Sequence, residues 1–214
     1  MRKLMIAIAC CLGTSVAADE VVIAALGDSL TQGYGLPEAQ GFVSQLQRWM
    51  IGAGADVRLI NAGVSGDTTA GGLARAGWTM TPEVDGLILA LGGNDVLRGL
   101  DPDVSRKNID GILQAADTAE VEVLLVGMTA PGNYGPEYKA EFDAIYPELA
   151  EEYDTLLLSS FFAGLTEDDE TPDLSALRGY FQPDGIHPNA EGIAKIVERI
   201  GPAVLELVTR IEGG

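Results

Sequence analysis

Five short runs of this 214-residue chain are apolar with little interruption: residues 21–26, 57–61, 86–91, 121–128 and 155–158. A strand with one face in water alternates apolar and polar side chains. A run apolar at nearly every position fits a strand covered on both faces. Longer amphipathic stretches separate the runs. Residues 41–53 put Phe42, Leu46, Trp49 and Met50 on one face, and residues 68–80 follow the second run. Residues 103–119 open on an Asp after Pro102, and residues 136–153 carry Phe142, Ile145, Tyr146 and Leu149 at helical spacing. Residues 189–211 close the chain, with Pro202 expected to kink or split that helix.

This alternation predicts an α/β domain, a three-layer doubly wound (flavodoxin-like) sandwich around a five-stranded parallel sheet. In such folds ligands bind beyond the carboxyl ends of the strands. The polar segments that directly follow the runs therefore matter most.

The first 18 residues read as a cleavable leader. Arg2 and Lys3 make a basic start, residues 4–12 form an apolar core, and Ser15-Val16-Ala17-Ala18 offers small residues to a signal peptidase. The apolar core is shorter than the ~18 residues of a membrane span. Residues 19–214 are then a single domain, periplasmic or secreted. Both cysteines, Cys10 and Cys11, leave with the leader. The mature domain has neither thiol chemistry nor zinc–thiolate sites. Ala7-Ile8-Ala9 matches a lipid-attachment signal only loosely, so no stable membrane anchor is expected. The net charge is −19, and cleavage removes two bases and no acids. Such a surface repels phosphate backbones and anionic membranes, which argues against nucleic acid as a partner. It suits small neutral or zwitterionic substrates. Short loops and an acidic surface favour a monomer.

Four polar segments carry the candidate chemistry. Gly27-Asp28-Ser29-Leu30 follows the first run and sets Ser29 at a strand-to-helix turn, its backbone N–H aimed outward as an anion donor. The same residues read equally well as a helix cap. Asn61-Ala62-Gly63-Val64-Ser65-Gly66-Asp67 follows the second run; Gly63 brings a backbone N–H near a substrate oxygen or simply makes a tight turn. Leu91-Gly92-Gly93-Asn94-Asp95 follows the third, where Asn94 offers a side-chain amide or a left-handed turn residue. Asp184-Gly185-Ile186-His187 precedes the last helix and holds the only histidine. A hydroxyl nucleophile needs a base that works near neutral pH, and histidine is the usual one. Asp184, three residues earlier, is within loop reach of the imidazole.

In this order and spacing the four segments resemble the four blocks of the SGNH (GDSL) hydrolase superfamily. Gly66-Asp67-Thr68, Gly72-Leu73-Ala74-Arg75, Leu97-Arg98-Gly99, Asn133-Tyr134-Gly135 and Phe142-Asp143-Ala144-Ile145-Tyr146-Pro147 extend the likeness to its periplasmic thioesterase/arylesterase/lysophospholipase branch. The resemblance implies a serine ester hydrolase with Ser29 as nucleophile, His187 as base and Asp184 orienting it. It implies an oxyanion hole from the backbone N–H of Ser29 and Gly63 and the amide of Asn94. Asp28 would serve local hydrogen bonding in the nucleophile turn. Neither metal nor organic cofactor is implied. Loops 95–101 and 129–135 would shape the acyl pocket, with Leu97, Leu100 and Pro131 as apolar wall.

Other readings are a carbohydrate O-deacetylase of the same superfamily and a non-catalytic binding module on this fold. A metal hydrolase built on Asp28, Asp184 and His187 has a poor ligand set. Nucleotide binding lacks its glycine-rich signatures.

Overall fold

A computed structural model describes residues 20–165 and 177–213. The leader expected at residues 1–18, with Cys10 and Cys11, lies outside the described residues. Five strands, β1 (Val21–Gly27), β2 (Val57–Gly63), β3 (Gly86–Ala90), β4 (Glu122–Val126) and β5 (Leu156–Leu158), pair in parallel in the order β2-β1-β3-β4-β5. This is the expected doubly wound sheet. All seven residues of β1 are buried and all five of β3, which is why their sequences do not alternate.

Side chains alternate between two cores instead. Ile23, Ala25 and Ile88 pack against α2 (Phe42–Gly52) and α7 (Ala190–Gly213), with Phe42, Leu46, Ile196 and Ile200. Val22, Ala24, Leu26 and Leu87 face α3 (Thr69–Thr79), α5 (Pro102–Thr118) and α6 (Pro136–Glu152), against Ile109, Ile112, Phe142 and Ile145.

The helix starts follow side-chain capping. Asn189 Oδ1 accepts the N–H groups of Glu191 and Gly192 at 3.0 Å each and opens α7. The cap of α5 is Asp101, whose carboxylate accepts the Asp103 N–H at 2.9 Å, with Pro102 in the first turn. The start is thus earlier than the sequence suggested. Pro202 does not split α7, which is one helix from Ala190 to Gly213. Buried residues on both sides of Pro202, among them Ile200 and Val204, hold it against the sheet.

Two short helices were not expected: α1 (Ser29–Gln32) and α4 (Gly93–Leu97). Each is too short for an apolar period to be read from sequence. They leave the carboxyl ends of β1 and β3. Those strands are neighbours with connections to opposite faces of the sheet, so both helices stand at the topological switch point.

Candidate active site

Ser29 is the first residue of α1, and Asp28 is its cap. Asp28 Oδ1 accepts the Leu30 N–H at 3.0 Å. Gly33, at φ 87°, ends the turn and donates its N–H to the Ser29 carbonyl at 3.1 Å. Only a residue tolerant of positive φ closes so tight a helix. The turn therefore fixes the Ser29 backbone, and its N–H finds no acceptor among the described residues.

His187 reaches Ser29 from the other end of the chain. Its Nε2 lies 2.8 Å from Ser29 Oγ, and its Nδ1 lies 2.7 Å from Asp184 Oδ2. The loop prepares this geometry. Asp184 Oδ1 accepts the N–H groups of Ile186 at 2.9 Å and His187 at 3.0 Å, which leaves Oδ2 for the ring. The Ile186 N–H, then the His187 ring and its N–H, hold the Asp184 carboxyl down at about 2. Gln182 accepts nothing from the ring but ties the loop down: its N–H donates to the His187 carbonyl at 2.7 Å and its side-chain amide to Tyr34 O at 2.8 Å.

Asn94 enters from α4. Gly92, at φ 118°, makes the sharp exit from β3 that aims this helix at Ser29. The Asn94 amide donates to Asp28 Oδ2 at 3.2 Å. Asp28 is 2 % exposed, and burial pushes its carboxyl up to about 6 against the pull of the Leu30 N–H and the Asn94 amide. Its local role in the nucleophile turn is as the sequence suggested.

The glycine of the second segment is a correction. Gly63 is the last residue of β2, and its N–H donates to Asn61 Oδ1 at 3.0 Å. It lines a separate cleft with Gln32, Leu36, Val43 and Ser44. A Cβ at Gly63 would sit 2.3 Å from the Gln32 nitrogen, so close packing against α1 accounts for this glycine. Gly66, three residues on, lines the same cavity as Ser29, Asn94 and His187. Its φ is +80°, and its N–H finds no acceptor among the described residues. The signal for it lay in Gly66-Asp67-Thr68: a glycine just before the cap of α3, followed by an Asp that Arg75 grips at 2.8 Å. The sequence pointed to Gly63, and the place where β2 ends leaves Gly66 rather than Gly63 at the cavity.

Ser29 and His187 stand at the mouth of a cavity of about 560 Å³ walled by Leu97, Met128, Pro131, Phe162, Phe181 and Ile186. Leu97 and Pro131 are thus where the sequence put them. Leu100 is not among the lining residues: its N–H bonds the Asp95 carbonyl and its carbonyl accepts the Tyr138 hydroxyl, which turns it away with the end of the α4 loop. Phe162 and Phe181 were missed because they come from irregular segments after β5, with no periodicity to mark them. Among the described residues no three His, Cys, Asp or Glu side chains gather as a metal-binding group.

A family model described as GDSL-like Lipase/Acylhydrolase matches residues 25–195. The chain belongs to this family. The GDSL-like match takes in Ser29, Asn94, Asp184 and His187. Among relatives, the chain is 35% identical over 211 residues to "Esterase TesA" of Pseudomonas aeruginosa, covering 97% of this chain and 100% of that one. It is 34% identical over 196 residues to "Thioesterase 1/protease 1/lysophospholipase L1" of Escherichia coli K12, covering 91% and 87%. The crystal structure of TesA superposes with a TM-score of 0.77 at 35% identity, covering 87% of this chain and 99% of the other. The α/β sandwich of the GDSL-like family is the fold seen here.

Proposed function

We propose that this GDSL-like ester hydrolase works through an acyl-enzyme on Ser29. The carrying observation is the unbroken line from Asp184 Oδ2 through the His187 ring to Ser29 Oγ, with spacings of 2.7 and 2.8 Å, at the mouth of an apolar cavity. His187 Nε2 takes the hydroxyl proton as Ser29 Oγ attacks the ester carbonyl. Asp184 keeps the ring in the tautomer that leaves Nε2 free to accept. The oxyanion meets three neutral donors: the N–H of Ser29, the N–H of Gly66 and the amide of Asn94. His187 then gives the proton to the leaving alcohol, and water repeats the sequence on the acyl-enzyme.

The cavity wall is mostly apolar, which supports an acyl chain rather than a sugar as the group held there. Relatives carry the names esterase, thioesterase and lysophospholipase. Small neutral or zwitterionic acyl esters are the substrate class proposed here, taken up by a monomer without a cofactor. No helix among the described residues is long and apolar enough to cross a membrane. The leader-like residues 1–18 support action in the periplasm or outside the cell.

A fluorophosphonate probe and p-nitrophenyl esters test the reading. Stoichiometric labelling, abolished in Ser29→Ala, is expected, with turnover lower by about 10⁶ in Ser29→Ala or His187→Ala. Wild-type turnover in either variant would refute it.

A further inference from the structure

Asp95 is 0% exposed, yet the reaction just described does not use it. Its carboxylate points away from the catalytic cavity into a junction of three helices. Oδ2 accepts the Thr69 N–H at 2.9 Å, and Oδ1 accepts the Thr69 hydroxyl at 2.6 Å and the Ser105 hydroxyl at 3.2 Å. Asn108 in turn donates its amide to the Thr69 hydroxyl at 3.0 Å. Thr69 and Ser105 are also 0% exposed. No cation among the described residues joins this group; the donors are all neutral.

A buried carboxylate without a counter-charge is costly, and an apolar residue of similar volume would fill the space at lower cost. What Asp95 does that an apolar residue cannot is fix two chain segments relative to one another. It is the neighbour of Asn94 on α4, a helix of five residues with no side-chain cap. So short a helix has little stability of its own. Thr69, its partner, is the first residue of α3, three positions after Gly66. Two of the three proposed oxyanion donors thus hang on the two ends of one carboxylate–threonine contact.

We propose that Asp95 is a positioning residue: with Thr69 and Ser105 it locks α4 to the start of α3 and so sets the separation of the Asn94 amide and the Gly66 N–H. The inference rests on reading those two groups as the oxyanion donors. Donors that must meet a charge present only in the transition state act on kcat rather than on substrate binding. A misplacement of about 1 Å is enough for a loss of about 10²-fold.

The test measures kcat and KM on a p-nitrophenyl ester, with kcat normalised to active sites counted by fluorophosphonate titration. Asp95→Asn and Thr69→Val are each expected to lower per-site kcat by about 10- to 100-fold with KM within about twofold, while Thr69→Ser, which retains both donors, stays near wild type. Adding Asp95→Asn to Asn94→Ala is expected to cost less than about threefold more, because with the Asn94 amide gone there is no longer a separation between two donors for Asp95 to set. Thr69→Val carries the test if Asp95→Asn does not fold. Per-site kcat within twofold of wild type in the variants that fold, or an undiminished loss in the Asn94→Ala background, overturns the proposal. Asn94→Ala by itself separates the two levels. If it remains near wild type, the reading of the donors fails too. If it loses about 10²–10³-fold while Asp95→Asn and Thr69→Val lose nothing, only the anchor is wrong.

Discussion

The Tyr34 ring lies against the His187 imidazole, centroids 4.6 Å apart and planes tilted by 37°. Tyr34 is 50% exposed, so the contact is not demanded by core packing. The Tyr34 carbonyl is also held by the Gln182 amide at 2.8 Å, which fixes the ring beside the histidine loop. In the proposed mechanism the His187 imidazole gains a proton, and an aromatic face beside it stabilises that cation by about 0.5–1 kcal/mol at an exposed site. Tyr34→Ala is therefore expected to lower kcat about two- to fivefold, and Tyr34→Phe to retain it. Equal kcat in Tyr34→Ala and wild type on a p-nitrophenyl ester would rule out the contribution.

Asp28 and Asp184 predict opposite pH effects on stability. The Asp28 carboxyl is raised from 3.8 to about 6, chiefly by burial. Its neutral form suits the fold, so that contribution is complete below pH 3.8 and is lost as pH rises through about 6. At neutral pH the charged form then costs on the order of 3 kcal/mol. Asp28→Asn is expected to gain in stability relative to wild type between pH 4 and pH 7, seen by urea unfolding at both. Asp184, lowered to about 2 by the Ile186 N–H and the His187 side chain, behaves the other way. Its contribution is present above 3.8 and is lost as pH falls towards 2.

The two candidate glycines separate by substitution. Asn94→Ala is expected to cost about 10²–10³ in kcat if its amide meets the oxyanion. Gly66→Ala, forced into a positive φ beside the nucleophile, lowers kcat as well. Asn61→Ala removes the acceptor of the Gly63 N–H and a long amide donation to the Gln32 carbonyl at 3.4 Å, and kcat within about threefold of wild type is expected. A loss in Asn61→Ala as large as that in Asn94→Ala would restore Gly63 to the site.

Arg75 joins three segments around the nucleophile turn. Its guanidinium bonds Asp67 at 2.8 Å, the Ala62 carbonyl at 2.6 Å and the Gly27 carbonyl at 2.9 Å. The pair is mostly buried, with side-chain exposures of 23% and 13%. Arg75→Met leaves Asp67 without its partner and is expected to cost about 3–5 kcal/mol of unfolding free energy. Arg75→Lys recovers only part of this, since an ammonium does not span three divergent acceptors. Full recovery by lysine in a denaturant titration would show that charge alone matters.

If the cavity holds the acyl chain as proposed, its wall sets chain-length selectivity. Phe181→Trp narrows the cavity, so kcat/KM is expected to fall for octanoyl and longer p-nitrophenyl esters and to hold for acetyl. Leu100→Ala lies outside the lining and is expected to leave the long-to-short ratio unchanged. A shifted ratio in Leu100→Ala would return that residue to the acyl pocket.

Much of the molecule is decided by local sequence. Continuous apolar runs specify strands buried on both faces, and the helices between them dictate parallel pairing, because each strand must return to the same edge. Ser29, Asn94 and the Asp184/His187 loop follow strand ends or precede the last helix, so position and residue type made them candidates, and the family resemblance suggested their roles. What sequence did not resolve depends on contacts across many residues. Asn61 Oδ1 takes the N–H of Gly63 while that of Gly66 meets no acceptor among the described residues, a difference that follows from where β2 stops pairing with β1. Leu97 and Leu100 differ in which way a five-residue helix turns, and that is set by Asp95 and Tyr138. Phe162 and Phe181 join one wall because two irregular segments separated in sequence bring their ring centroids within 5.9 Å of each other. Hydrophobic periodicity is a short-range signal and fixes the strands, the helices and the chemistry available at their ends. Which glycine N–H is left unbonded, and the shape of the cavity beside Ser29, are matters of long-range hydrogen bonding and packing, and only the assembled tertiary structure decides them.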